Sequence, residues 1–311
     1  MTNQDDGAKA RVPMHDDEVF TDSAQVQRLL AAQFPEWTEL PLHPVRSHGT
    51  DNAIYRLGAD KAVRLPRRPG AVGHIDKDHK WLPRLAPYLP VSLPLPLAKG
   101  APGEGYPWNW SVCVWLEGDN PDPGDADQAG LAADLADFLR ALRAIDPADG
   151  PRPSAQNFGR GAPLILRDAS TRAALGALQG AIDVAAAAAL WEADLNAPVW
   201  SAPPVWIHGD LNAGNVLVRN GRLSGVIDFG GMAVGDPACD LLAAWYVFGR
   251  EGRAAFRDAL GADDASWARG RGWAMSMALN ALPYYKDTNP AIVATALRVV
   301  GEILEEGRRN G

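Results

Sequence analysis

Along residues 24–34 the run AQVQRLLAAQF spaces its apolar side chains at three- and four-residue steps, behind Asp22 as a cap with Gln25 at the third helical position. That spacing predicts a helix. AIYRL (53–57) and KAVRLP (61–66), joined by Gly58, Ala59 and Asp60, predict a hairpin. KDHKWLPRLAPYL (77–89) predicts a helix, prolines break VSLPLPLAKG (91–100), and WSVCVWLEG (110–118) predicts a buried strand ended by Gly118. Strand, strand, helix, strand makes a small mixed lobe up to residue 117.

DNPDPGDAD (119–127) is a polar, proline-rich connection, after which the pattern turns helical. Leu131, Leu135, Phe138, Leu139 and Leu142 fall on one stripe of LAADLADFLRALRAI. Residues 205–229 interrupt this with short β-type runs, and DPACDLLAAWYVFG resumes a helix with Asp236 as cap and Pro237 at its first position. No internal repeat is found. The expected class is α+β: a loosely attached segment at 1–20, a small mixed lobe at 21–117, and a helical lobe at 118–311 with one embedded hairpin.

Composition narrows the partners. With 311 residues and 47% hydrophobic content the chain can bury a substantial core, and a net charge of −8 argues against a nucleic-acid surface while suiting a cationic small substrate. Cys113 and Cys239 lie in apolar surroundings and are expected to be inert thiols in a reducing compartment. The polar N-terminus has no apolar signal core, and the alanine-rich run at 181–191 is too short to cross a bilayer. A cytoplasmic protein with no membrane partner is expected.

The chemistry gathers in HGDLNAGNVLVRNGRLSGVIDFGG, residues 208–231. Asn220-Gly221 between VLVR and RLSGVI predicts a two-residue type I′ turn, with Arg219 facing Arg222, Leu217 facing Ser224 and Asn215 facing Val226. Asp228 then shares a face with Asn215, about 7–8 Å away, a gap that an amide and a carboxylate can close onto Mg²⁺. Asp210 arrives on the loop leading in. A carboxylate not needed for metal can orient a hydroxyl and take its proton, which makes this a phosphoryl-transfer constellation.

His208-Gly209-Asp210, Asn215 five residues on, and Asp228-Phe229-Gly230 resemble the catalytic loop and DFG segment of the protein-kinase-like fold. HGDLNAGNVLV, VIDFGG and GDPACDL together resemble the aminoglycoside phosphotransferase family. The resemblance implies a two-lobed small-molecule kinase in which Asp210 is the catalytic base, Asn215 and Asp228 hold Mg²⁺, and His208 supports the loop. Asp236 reads as a helix cap, and Asp240 either braces the loop or complements the helix dipole.

On the nucleotide side the family's lysine position matches Arg64 in KAVR, and its helical glutamate matches Asp78 better than Asp76. With no G-x-G-x-x-G present, phosphate contacts are expected around Ser47, Gly49 and Thr50, and adenine contacts at the backbone of Trp115 and Glu117. The resemblance implies ATP or GTP as co-substrate. Gly209 replaces the arginine that reads a phosphorylated activation loop, and five residues between Gly230 and Asp236 leave no room for a peptide-binding segment, so no protein substrate is expected.

The acceptor is therefore expected to be small: an aminoglycoside-like polycation held by Asp194, Asp236, Asp263, Asp264 or the Glu302–Glu306 cluster, with a macrolide, sugar, amino alcohol or amino acid as alternatives. Trp245, Tyr246, Phe248, Trp267, Trp273, Tyr284 and Tyr285 are the candidates to line an apolar pocket. The rival class is a non-catalytic nucleotide-binding module, motivated by Arg64, Asp78 and the poor phosphate loop.

Overall fold

In this computed structural model, which describes residues 17–45, 49–125 and 128–310, helix α1 (Ser23–Gln33) starts at the expected cap: the Asp22 carboxylate accepts the Gln25 N–H at 2.7 Å. Its buried Val26, Leu29 and Leu30 pack with Tyr55, Val63, Leu65, Trp110 and Val112 of an antiparallel sheet. That sheet has the order β1 (Leu42–Pro44), β2 (Asn52–Leu57), β3 (Lys61–Pro66), β5 (Trp110–Val114), β4 (Pro96–Gly100). β1 and β4 escape the sequence pattern for one reason. Both are edge strands with prolines, where a missing N–H costs no ladder bond and alternation is weak.

Helix α2 (Pro69–Leu85) begins eight residues before the expected Lys77, because Pro69 opens it and Gly70 and Gly73 hide its first turns from an apolar-stripe reading. Its far end leaves the small lobe's core. Trp81, Leu82 and Leu85 pack into the large lobe, with the Trp81 ring 5.0 Å from Trp206 in a T-shaped pair. α2 is thus a rod shared by both lobes. The chain is also anchored earlier than residue 21, since Val19 N–H donates to Arg67 O and Glu18 pairs with Arg67 at 3.0 Å; positions 1–16 lie outside the described residues.

The large lobe is built from α3 (Ala129–Ala144), α4 (Asp168–Ala177), α5 (Val184–Leu195), β6 (Val205–Ile207), β7 (Val216–Arg219), β8 (Arg222–Val226), β9 (Ala233–Gly235), α6 (Ala243–Tyr246), α7 (Arg250–Leu260), α8 (Asp264–Tyr285) and α9 (Pro290–Asn310). The α3 stripe is wholly buried, as its spacing implies. No described helix is long and apolar enough to cross a membrane. Both cysteines are free, and burial pushes the Cys239 thiol up to about 12.

The hairpin forms with Asn220 and Gly221 both at positive φ, 53° and 73°, the type I′ signature. Its register departs from expectation by one residue. Arg219 faces Arg222 and Val218 faces Leu223, but Leu217 then opposes Gly225 and Val216 opposes Val226. Ser224 is the extra residue of a bulge, its carbonyl accepting the Ser92 N–H at 3.4 Å and its hydroxyl donating to Glu117 O. Asn215 therefore does not face Val226; it ends a short 3₁₀ turn, Ala213–Asn215, and its carbonyl accepts the Ile227 N–H at 2.9 Å. The helix expected from Pro237 is likewise a 3₁₀ turn to Leu242, followed by the four residues of α6.

Candidate active site

The loop that begins at His208 hangs from Asp240. This fully buried carboxylate accepts the His208 N–H at 3.0 Å and the Gly209 N–H at 2.7 Å, so it braces the loop and does more than complement a helix end. Burial raises its pKa to about 6. His208 is also wholly buried, and burial lowers its pKa to about 4, leaving a neutral ring. The ring can then satisfy both neighbours: Nδ1 accepts the Asp210 N–H at 3.2 Å while Nε2–H donates to Ile227 O at 3.0 Å. Gly209 sits at φ 83°, and a Cβ there would lie 2.5 Å from Gly231 O, so no arginine could occupy this position.

Asp210 takes the Asn215 amide through its carbonyl at 2.9 Å and its Oδ2 at 3.1 Å. Burial raises its carboxyl to about 6, against the pull of Arg160, whose Nη2 lies 3.5 Å from Oδ1. Asp228 adopts the left-handed region at φ 58°, sparsely used by side-chain-bearing residues, and accepts the Gly230 N–H at 3.4 Å. Burial would raise its carboxyl, but its neighbours, Arg64 above all, overcome this and hold it below its ordinary value. Asp210 and Asp228 line one cavity with Asp51, Phe158, Arg160, Gly230 and Gly231.

Among the described residues no three His, Cys, Asp or Glu side chains gather as a metal cluster. Mg²⁺ needs less, since one or two protein oxygens suffice beside phosphates. Asp228 Oδ2 and Asn215 Oδ1 accept no hydrogen bond from described residues, while the Asn215 amide nitrogen is turned to Asp210. Both are hard oxygens of the kind the ion takes.

On the nucleotide side Arg64 of β3 pairs with Asp78 of α2 and reaches Asp228 Oδ1 at 3.3 Å. Burial would lower the guanidinium's pKa, and the two carboxylates hold it above its ordinary value. Asp76 turns away to Lys99 at 2.5 Å, and Lys61 pairs with Asp60. Lys77 was missed by sequence reasoning: it donates to Gly230 O, and burial lowers its pKa to about 8. Its one sequence signal is adjacency to Asp78.

The remaining expectations meet a mixed outcome. Ser47 lies outside the described residues; Thr50 hydrogen-bonds Tyr285 of α8, and its hydroxyl approaches the Asp51 carboxylate at 3.5 Å. The Trp115 N–H donates to Asp60 O at 2.8 Å and is not free for adenine, as the loop after β2 folds against the end of β5. The Trp115 carbonyl and Glu117 N–H have no protein partner among the described residues, and the Glu117 carboxylate pairs with Arg56 at 2.5 Å.

The acids proposed for a polycation are engaged elsewhere. Asp194 pairs with Arg271 at 2.7 Å and Asp236 with Arg269 at 2.8 Å while capping Ala238, and Asp263 caps Ser266. Asp264 pairs with Arg257, Glu302 with Arg253 and Arg298, Glu305 with Arg309, and Glu306 with Arg253 and two indole N–H groups. Of the aromatics, Trp245, Phe248, Trp267 and Trp273 belong to the core, Tyr246 is nearly buried, Tyr285 is half-buried and Tyr284 is exposed. Sequence reasoning also missed Arg160, which stands in NFGRG far from any motif.

A sheet-bearing small lobe, a helical large lobe and paired aspartates in the cleft between them define a kinase-like phosphotransferase that acts on hydroxyl groups. The chain belongs to the phosphotransferase enzyme family APH, whose family model matches residues 43–273. Its fold is similar to the GDP and kanamycin complex of APH(2")-IIia, at 19% identity and a TM-score of 0.69, covering 92% of this chain and 99% of that one. It is also similar to the macrolide 2'-phosphotransferase MphH from Brachybacterium faecium, at 22% identity and a TM-score of 0.60, covering 89% and 97%. No curated protein matches the chain.

Proposed function

We propose that the chain transfers the γ-phosphoryl group of ATP or GTP to a hydroxyl of a small molecule, with Asp210 as the base. The observation that carries this reading is the one cavity lined by both the Asp210 and Asp228 carboxylates, the first held by Asn215 and the second by Arg64. A carboxyl near 6 is mostly ionised at pH 7 yet basic enough to take a hydroxyl proton as the oxygen attacks. Asn215 and Asp228 would hold Mg²⁺, which supplies charge neutralisation at the phosphates when bound. Arg64 faces the same side and would contact the α- and β-phosphates, with Asp78 fixing its rotamer.

Against the non-catalytic alternative, Arg64 and Asp78 form one ion pair across the sheet–helix boundary, which leaves the poor phosphate loop as its remaining motive. For the acceptor, an aminoglycoside-like molecule has support from the kanamycin-bound neighbour and a macrolide from the macrolide enzymes, while this chain's own acids are engaged internally. The free cysteines suit a reducing compartment such as the cytoplasm. Replacing Asp210 with alanine should lower acceptor-dependent release of nucleoside diphosphate by roughly 10²–10⁴ while nucleotide binding persists. Undiminished turnover in that variant would refute the assignment.

A further inference from the structure

Beside Asp210 the cavity presents a guanidinium that can only donate, and a second guanidinium shares the same indole ring. Arg160 is nine-tenths buried and lines the cavity; its one carboxylate neighbour is Asp210 at 3.5 Å, and its buried Nε–H has no partner among the described residues. Arg167, half-buried, donates through Nε to Ser276 Oγ at 2.7 Å and has no carboxylate partner among the described residues. The two guanidinium groups flank the Trp273 ring, 5.8 and 5.0 Å from its centroid, and the Trp273 indole N–H is buried and unpartnered as well. Arginine and indole carry no acceptor. Burial, with Arg160 alongside, lowers the Arg167 pKa to about 10, the mark of two cations sharing too little negative charge.

The cavity's carboxylates do not offset this. Asp51 pairs with Arg68 at 2.8 Å, Asp228 with Arg64, and Asp210 is the base. An ammonium-rich acceptor would meet Arg167 without a carboxylate and Arg160 whose one ion-pair partner is the base itself, whereas an oxyanion would satisfy both and the orphaned N–H groups together.

Resting on the phosphotransferase reading above, we infer that the acceptor is an alcohol bearing a carboxylate, which Arg160 and Arg167 hold while its hydroxyl faces Asp210. In the transfer the hydroxyl oxygen bonds to the γ-phosphorus, the bond from that phosphorus to the bridging oxygen breaks, the proton passes to Asp210, and nucleoside diphosphate leaves. A small polar acceptor replaces the polycation expected from net charge alone. Arg160 and Arg167 act as specificity-determining residues.

The test is release of ADP by the full chain with Mg²⁺ and ATP, using matched probes that differ by a carboxylate, glucuronate against glucose and glycerate against glycerol, beside kanamycin and erythromycin. The acid of at least one pair should show a kcat/KM at least ten-fold above its neutral partner. Arg167→Gln should erase that preference by raising KM for the acid at least ten-fold with little change for the neutral member, and Arg167→Lys should keep part of it. Equal use of both members, or better use of kanamycin or erythromycin, overturns the inference and leaves the kinase reading standing. So does an Arg167→Gln loss that is the same for acid, neutral alcohol and water, because the cations would then serve the phosphoryl group itself. ATP hydrolysis in water that Asp210→Asn removes, with no response to any acid, also overturns the inference alone. Absence of both nucleotide binding and hydrolysis overturns the kinase reading with it.

Discussion

The two sides of the cleft handle charge in opposite ways. On the nucleotide side Arg64 is answered by Asp78 and Asp228, and the network closes on itself. On the acceptor side Arg160 has only Asp210 at 3.5 Å and an Nε–H without a partner, and Arg167 has no carboxylate partner among the described residues. A closed network positions a group for a partner of fixed shape, the triphosphate. An open one waits for charge that a ligand brings, which is where specificity can differ between enzymes with similar machinery.

The largest break in this contrast should come from the loop that joins the sides. Asp240→Ala orphans two buried N–H groups, each costing about 1–3 kcal/mol, and should lower kcat by roughly 10² through misplacement of Asp210. Thermal melts and initial rates check both. Next, Arg64→Lys should raise the nucleotide KM by about ten-fold, since one ammonium cannot span two carboxylates, and Asp78→Glu added to it should recover most of the loss. A double variant as weak as the single one would show that the closed network is not a movable pair.

The pH dependence separates the sides further. As the proposed base Asp210 must be ionised to accept a proton, and burial raises its pKa to about 6, so kcat/KM should fall about ten-fold per unit as pH drops below 6 and level off above it. Arg64 stays charged over that range, while burial raises the Asp78 carboxyl, so any loss of nucleotide affinity towards acid should come through Asp78. The smallest effect is on stability. Asp210 has a folded pKa above its unfolded one, so ionising it costs stability fully above pH 6 and not at all below the ordinary carboxylate value near 3.8. Asp210→Asn should therefore raise stability at pH 8 by about 1 kcal/mol, after allowance for a side chain 30% exposed, and the gain should vanish near pH 3.5. A gain of equal size at both pH values would assign it to packing.

What could be read from the sequence follows the same division. The catalytic loop, Asp228 and the Arg64–Asp78 pair sit in segments where local chemistry repeats a kinase pattern, and α1, α3 and the β2–β3 hairpin announce themselves by period and caps. Edge strands β1 and β4 and the Ser224 bulge were hidden because each depends on what a neighbouring segment supplies and not on its own alternation, and the early start of α2 because Gly70 and Gly73 leave its first turns without an apolar stripe. The acceptor wall was hidden most deeply. Arg160, Arg167 and Trp273 lie in loops and helices more than a hundred residues apart at the extremes, and only tertiary packing makes them one surface. The acids that looked available were unreadable for the complementary reason: sequence shows a carboxylate but not the arginine that already occupies it.

The near-contact of Gly209 with Gly231 gives the centre of the molecule an unusual stiffness. Two main chains cross there without space for a methyl group, so the strand-side carboxylate and the loop-side carboxylate are carried on what is mechanically a single knot. A side chain at position 209 could enter only by pushing the Asp210 loop off the Asp228 turn, which would change the distance between the two carboxylates.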